Sequence, residues 1–469
     1  MPALEPMSLA VTGATTSLLS HPCRIGTLAP MCRPRNVILI VVDCLRADHL
    51  GCYGYAKPTS PNIDAFAQTA TQFDQFFASA VPTQPSFTTM YTGQYSITHG
   101  IVSHKGDVEL DENAPWLPSI LRAHGMTTAA FCCLPRYKHW FIRGFEFAVD
   151  STTRYLSDGY TAELMNSRAI PWLKAHSDER FFMTIHYWDP HTPYMPPERY
   201  RIFYDGDPTD PAKPDTLAPL QRQYFSVMWA NWFSKLPQPL RDASYIESLY
   251  DGEVRHADDG VGRLLQALDE SGRADDTLVV LTSDHGEMFY RHDIFFDHHG
   301  LYDGNIHCPL LIRWPGVTAG GRRLHGFAQH QDLAPTVLDA LGIGAAEAMD
   351  GASLVPALSG GEMPPRDFVV AEECTWQKKW AIRTETEKLI VSRAPDFHGR
   401  PMRELFDLRA DPDELCDIAE AEPERAHALE ERLEGWIDAM VAKNGLTGDP
   451  LAASDITLGK KWEQWLRNS

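Results

Sequence analysis

The chain has 469 residues, 43% of them hydrophobic and 22% charged, with a formal net charge of −21. This is ordinary globular composition, long enough for two or three domains or for one large α/β unit. So acidic a balance speaks against a broad nucleic-acid or anionic-membrane surface, although an anionic small molecule can bind where a metal or local cations reverse the sign.

Nine cysteines show no close metal-type spacing, and their odd number does not make a complete disulfide framework. Reduced, mostly buried thiols in a cytoplasmic protein are expected. Residues 1–34 read as a disordered leader: they are small, polar and Pro-containing, with Leu18-Leu19 the one notable apolar pair, too little for a secretory signal. Met31 is an alternative start. No apolar run approaches the roughly 20 residues of a membrane helix.

Asn36–Val42 is a continuous, β-branched apolar run that ends in Asp43, the pattern of a strand buried on both faces of a parallel sheet. Asn62–Ala67 opens a helix, with Asn62 as a cap. A second buried strand, Phe181–Ile185, ends in His186. Residues 196–245 are dense in Pro, Tyr, Phe and Trp, including Trp229 and Trp232, and are expected to form an insertion near the site or a homo-oligomer contact. Residues 246–270 place Leu249, Val254, Val261, Leu264, Leu265 and Leu268 at helical spacing. A third strand, Thr277–Ser283, leads into Asp284-His285-Gly286, and a helix over 330–341 stops at Gly342. After about residue 365 come short strands such as Lys388–Val391 and a charged helix near 422–442. The expected fold class is α/β: a doubly wound, mostly parallel sheet flanked by helices, with a smaller C-terminal α+β subdomain. The expected divisions are 1–34 leader, 35–365 catalytic domain and 366–469 C-terminal subdomain and tail.

In open α/β sheets ligands gather outside the carboxyl ends of the strands. Asp43, His186 and the pair Asp284-His285 stand at three such ends, so one shared site is expected. Carboxylates with an imidazole suit a divalent cation. Thr83, on the turn entering a helix, can add its hydroxyl, which metal coordination would activate for attack. A strand-terminal Asp taken singly more often caps the next helix; the combination points to chemistry.

Several phrases, in order, carry a resemblance: Val42–Asp48 with Leu50–Gly54, Ser60–Asp64, Pro82-Thr83-Gln84-Pro85-Ser86-Phe87 closing on Thr92-Gly93, His186–His191, Ser283–Glu287, Pro309–Ile312, and Glu404–Leu408 with Asp411-Pro412. Together they resemble the alkaline phosphatase superfamily in its sulfatase-like branch, over about Asn36–Ala419. That resemblance implies an ester-cleaving metalloenzyme. Sulfatases carry a cysteine, converted to formylglycine, where Thr83 stands, an arginine where Phe87 stands, and a second aspartate where Cys44 stands. The departures favour the likeness to phosphonate monoester hydrolases and threonine-dependent phosphoglycerol transferases. The implied metal ligands are Asp43, Thr83, Asp284 and His285, around one divalent ion: manganese, with calcium, magnesium or zinc as alternatives. By the same resemblance His186 contacts the transferred group, unless it ties down the Pro190–Pro197 loop. His299 would protonate the leaving oxygen, with His298 beside it and His292 as an alternative, while His191 is structural. Arg46 would hold a substrate oxyanion or pair only with Asp48. Lys138 and His139 fall where sulfatases have Lys and His, in a poorly matching phrase.

The function expected is hydrolysis of a small anionic phosphate or phosphonate ester through a covalent phospho-Thr83 intermediate. A sulfuric ester hydrolase without formylglycine, a phospho-group transferase and a non-catalytic binding protein are the alternatives. No nucleic-acid or membrane partner is expected.

Overall fold

Strand β1 (Asn36–Val42) has every residue buried and lies inside an eight-stranded sheet. It pairs in parallel with β6 (Phe181–Tyr187) on one side and β7 (Thr277–Thr282) on the other. Three central strands covered on both faces must be apolar throughout, which is why they stand out as unbroken runs rather than alternating ones. The computed structural model describes residues 33–150, 162–223, 225–395 and 398–458. The expected leader lies outside these residues except for Arg33 and Pro34.

The sheet is completed by β2 (Thr71–Phe77), β4 (Thr127–Phe131), β5 (Phe147–Val149), β8 (Leu310–Arg313) and β9 (Arg322–Gln329), in the order β5-β4-β6-β1-β7-β8-β2-β9. Only β8 runs against its neighbours β7 and β2; the other pairings are parallel. The helix Ala243–Glu270, begun by the Asp242 carboxylate accepting the Ser244 N–H, buries Ile246, Leu249, Val254, Val261, Leu264 and Leu268. Its period of three and four residues is the one read from the sequence.

A second sheet has the order β13-β12-β11-β10-β3. Its strands are β3 (Ala80–Val81), β10 (Phe368–Glu373), β11 (Lys379–Thr384), β12 (Glu387–Ser392) and β13 (Arg403–Asp407). The helix Pro423–Lys443 covers it, placing Leu429, Leu433, Ile437 and Met440 in one cluster with Val370, Trp380, Ile382, Leu389 and Leu405. This is the expected C-terminal α+β subdomain, but it is not self-contained. Its edge strand β3 comes from the first hundred residues and pairs in parallel with β10 through Glu372 opposite Ala80 and Glu373 opposite Val81. Residues Cys32–Ser469 accordingly cluster as one compact unit. A buried Lys388 adds a second tie, reaching Asp303 at 2.5 Å and Glu414 at 2.6 Å.

Before the Ala243 helix, the described residues of the aromatic segment 196–245 form short helical turns, and its rings pack against the same chain: Trp229 Nε1 donates to the Phe295 carbonyl at 2.9 Å, and Trp232 meets Tyr194 at 5.2 Å between centroids. The seven described cysteines are all free. Among the described residues no helix is long and apolar enough to cross a membrane.

Candidate active site

Strand register brings the candidate residues together. His186 of β6 and Thr282 of β7 both lie opposite Val41 of β1, so Asp43, His186 and Asp284 emerge at one edge of three adjacent strands. Thr83 arrives from the other direction. Strand β3 delivers the chain to it from the second sheet, and Thr83 is the first residue of a wholly buried helix, Thr83–Thr92. Its free backbone N–H groups give that end of the helix a positive character.

At the centre, Thr83 Oγ1 lies 3.2 Å from His285 Nε2, and Asp284 Oδ2 lies 3.4 Å from the same nitrogen. Asp43 Oδ1 is 3.9 Å from it, while Asp43 Oδ2 accepts from His186 Nε2 at 3.0 Å. His285 Nδ1 sits 2.9 Å from the Gly286 carbonyl, so Nδ1 carries the proton and Nε2 presents its lone pair to the cluster. Asp284 Oδ1 is taken by the backbone N–H groups of Cys44 and His285, at 3.3 and 3.0 Å. Asp284 Oδ2 is buried without a hydrogen-bond partner.

These atoms fit a divalent ion. Two ligands about 2.1 Å from an ion stand roughly 3.0–3.5 Å apart, and the spacings of Thr83 and Asp284 from His285 match that. The unpartnered Asp284 oxygen and the fixed tautomer of His285 supply the donors a metal requires. Electrostatics point the same way. Burial alone would raise the Asp43 carboxyl, but the His186 hydrogen bond and the fields of His191, His186 and His285 outweigh it and hold the group below the usual carboxylate range. Burial and the facing Asp43 charge push the Asp284 carboxyl up. Two fully buried carboxylates this close lack a matching positive charge, which a divalent cation would provide.

Around this centre the sequence expectations separate. Phe87 packs edge-on against His186, and Cys44 is buried with its thiol 3.1 Å from Asp43 Oδ1, so it lies against the site as a neutral group whose pKa burial drives well up. His298, rather than His299, stacks on His285, with ring centroids 5.1 Å apart and planes 20° from parallel. His299 pairs instead with His398 at 2.9 Å and stacks on Phe225. Arg46 is directed elsewhere: its fork engages both carboxylate oxygens of Asp48 at 2.8 and 2.6 Å and the Glu287 carbonyl at 2.9 Å. It lines a cavity of about 310 Å³ with Arg291, His292 and Asp303, apart from the four implied ligands. The pairing with Asp48, one of its two expected roles, is the one the geometry displays. His292 stacks on Tyr302 at 3.6 Å. Lys138 pairs with Glu109 at 2.7 Å, and the His139 side chain is 80% exposed.

His330 escaped the sequence reading, and His191, read there as structural, lies against the site. His330 bridges the strand end and the helix: Nε2 lies 2.9 Å from the Ser283 carbonyl and Nδ1 3.1 Å from Ser86 Oγ, which itself donates to the Asp284 carbonyl at 2.7 Å. His191 stacks on Trp188 and on His298, and its ring forms one group with Cys44 and His298. The Pro-rich phrase around His191 gave no periodic signal, and a lone histidine after residue 320 had none to give.

A sequence profile of one family, described as Sulfatase, matches residues 35–343, two thirds of the chain. The chain belongs to the sulfatase family. A second profile, described as N-sulphoglucosamine sulphohydrolase, C-terminal, matches residues 291–440 of this sulfatase-family chain and spans most of the second sheet. Among relatives, the multifunctional alkaline phosphatase superfamily protein PehA of Trinickia caryophylli is 27% identical, over 82% of this chain and 91% of that protein. The N-acetylglucosamine-6-O-sulfatase of Bacteroides thetaiotaomicron is 24% identical, over 88% and 87%. The crystal structure of the phosphonate monoester hydrolase of Agrobacterium radiobacter superposes with a TM-score of 0.70 at 26% identity, covering 88% of this chain and 96% of that one. The sulfatase-family chain is therefore an ester hydrolase of the alkaline phosphatase superfamily, whose enzymes use a divalent metal, and its described residues hold groups able to bind one.

Proposed function

We propose that this sulfatase-family enzyme hydrolyses phosphate or phosphonate esters, in the form of diesters or singly charged monoesters, with Thr83 as nucleophile. The observation that carries the reading is the Thr83 hydroxyl itself, buried at a helix start 3.2 Å from His285 Nε2, where the sulfatase resemblance calls for a cysteine that can become formylglycine. Asp43, Asp284, His285 and Thr83 would hold the ion, manganese being the one that the likeness to phosphonate monoester hydrolases implies and that the three oxygen donors suit. Bound there, it would acidify the threonine hydroxyl and withdraw charge from the substrate's phosphoryl oxygens.

The chain's own groups supply the rest. Thr83 Oγ1 gives up its proton to solvent and forms the new bond to phosphorus as the bond to the leaving alkoxide breaks, giving phospho-Thr83. The positive start of the Thr83–Thr92 helix faces the transferred anion. His186 keeps Asp43 oriented, and His298, stacked on His285, would give the leaving oxygen its proton. Water then cleaves the phospho-threonine.

Sulfate ester hydrolysis by the same threonine is the second reading, favoured by the profile match and by relatives named sulfatases. Rates on an aryl phosphate monoester, a phosphate diester, a phosphonate monoester and a sulfate ester, with added manganese, separate the two. The phosphorus esters should lead and Thr83→Ala should abolish their turnover; a leading sulfate ester would replace the proposal by the second reading.

A further inference from the structure

Beyond the Asp43 cluster, the helix Ala243–Glu270 carries Glu253 and His256 one turn apart, and the chain leaving β6 sets Asp189 against them. One ligand atom from each of the three residues lies within 4.8 Å of the others. We propose that Asp189, Glu253 and His256 form a second divalent-metal site, of the zinc class, separate from the catalytic centre.

His256 is the observation that lifts this above a cluster of acids. Its side chain is 1% exposed, and its Nδ1 is buried with no hydrogen-bond partner. Nδ1 lies 3.6 Å from Asp189 Oδ2 and 3.6 Å from Glu253 Oε2. That is too long for hydrogen bonds. It is close to the roughly 3.4 Å that separates two ligands held about 2.1 Å from an ion across a tetrahedral angle. The other ring nitrogen, Nε2, contacts the Glu163 carboxylate. A histidine whose far nitrogen is held by a carboxylate while the near one faces further oxygens is the arrangement in which histidine binds metals. The Tyr200 ring, stacked 5.1 Å away, fixes the imidazole plane.

The carboxylates are held as ligands are. Glu253 accepts the Met195 N–H at 2.7 Å through Oε1, which leaves Oε2 for the cluster, while Asp189 Oδ2, the oxygen that faces His256, is fixed by the Ala162 N–H at 2.9 Å and keeps its second lone pair. Asp189 and Glu253 set two little-exposed carboxylates against the same imidazole, and an ion between them would offset their repulsion. Two carboxylate oxygens and one imidazole leave a fourth tetrahedral position for water. The competing arrangement is an imidazolium at His256 shared among the three carboxylates, with no ion.

The test uses the full chain, stripped with a chelator and titrated with Zn²⁺ alone, with bound metal counted by elemental analysis. Wild type should take two ions per chain, and Asp284→Asn and His256→Gln should each keep one. Glu163→Gln should weaken the second site by about 10–100-fold while sparing the first. If His256→Gln binds two ions, or if wild type binds one that Asp284→Asn abolishes, the proposal is overturned and the imidazolium arrangement stands. Because His256→Gln can fail to fold, wild-type crystals grown with Zn²⁺ give an independent answer. An anomalous peak between Asp189, Glu253 and His256 supports the site, and its absence overturns it. The Asp284→Asn arm reports on the catalytic centre alone.

Discussion

Phe87 stands edge-on to His186, ring centroids 4.7 Å apart and planes at 62°, and the same histidine holds Asp43 through Nε2. Where the sulfatase resemblance calls for an arginine, this chain therefore has an apolar wall. The ring fixes the histidine that positions a proposed metal ligand and brings no charge of its own. A site so built relies on an ion and on helix and backbone dipoles to meet substrate anions, which fits a singly charged ester better than a dianion.

Because Phe87 is fully buried, Phe87→Ala should cost about 3–5 kcal/mol of stability, read from urea unfolding. Turnover should fall with it, since His186 would lose the surface that orients it. Unchanged stability would mean that the ring does not pack as described.

Thr83→Ser keeps the hydroxyl and should retain turnover, whereas Thr83→Ala should lose at least about 10³-fold in kcat. Acid-quenched wild type should yield a peptide phosphorylated at Thr83 by mass spectrometry. If the phosphoryl group is found elsewhere, or if the alanine variant turns over normally, Thr83 is not the nucleophile.

Asp43 and Asp284 are both fully buried, and their facing charges help raise the Asp284 carboxyl. Chelation should therefore lower Tm as well as abolish activity, and manganese should restore both. At free metal about 100 times Kd the stabilisation should be about 2.7 kcal/mol. A chelated protein that stays fully active would remove the metal from the reaction.

His298 touches His285 through a stacked ring, which places it beside the ligand cluster. As the proposed proton donor to the leaving oxygen, it should matter most when that oxygen leaves poorly. His298→Ala should slow alkyl esters far more than nitrophenyl esters, giving a steeper dependence of rate on leaving-group pKa. An equal loss on both would assign His298 a positioning role instead.

How much of this was legible in the sequence depended on the range of the interaction. Asp43, Asp284 and His285 could be read because each follows a strand buried on both faces, and strand ends in a parallel sheet converge. Thr83 could be read from its phrase and not from its geometry. Strand β3 is two residues long and pairs with a strand almost three hundred residues later, so neither period nor composition announces it. The choice between His298 and His299 was illegible for a similar reason: adjacent residues in an irregular loop point to different neighbours, and backbone conformation decides which one meets His285. Arg46 left two roles open because its spacing from Asp43 suits a clamp, while Asp48, two residues on, is a nearer bidentate partner.

His99 offers a pH test in a residue away from the ligand cluster. Its Nδ1 accepts the Ile101 N–H at 3.1 Å, so Nε2 carries the proton and donates to Thr89 Oγ1 at 3.0 Å. Burial depresses its pKa from an ordinary 6.5 to about 3. The unfolded chain thus takes up a proton below pH 6.5 that the folded chain refuses. The stability His99 contributes is complete above pH 6.5 and is lost as pH falls from there toward 3, at a slope approaching about 1.4 kcal/mol per pH unit. In urea unfolding between pH 7 and 4, His99→Gln, which can keep both hydrogen bonds without titrating, should lose stability less steeply than wild type. Some slope should remain, because His104 and His330 are also held at about 3 by burial. Identical slopes for the two proteins would show that His99 is protonated without penalty in the fold.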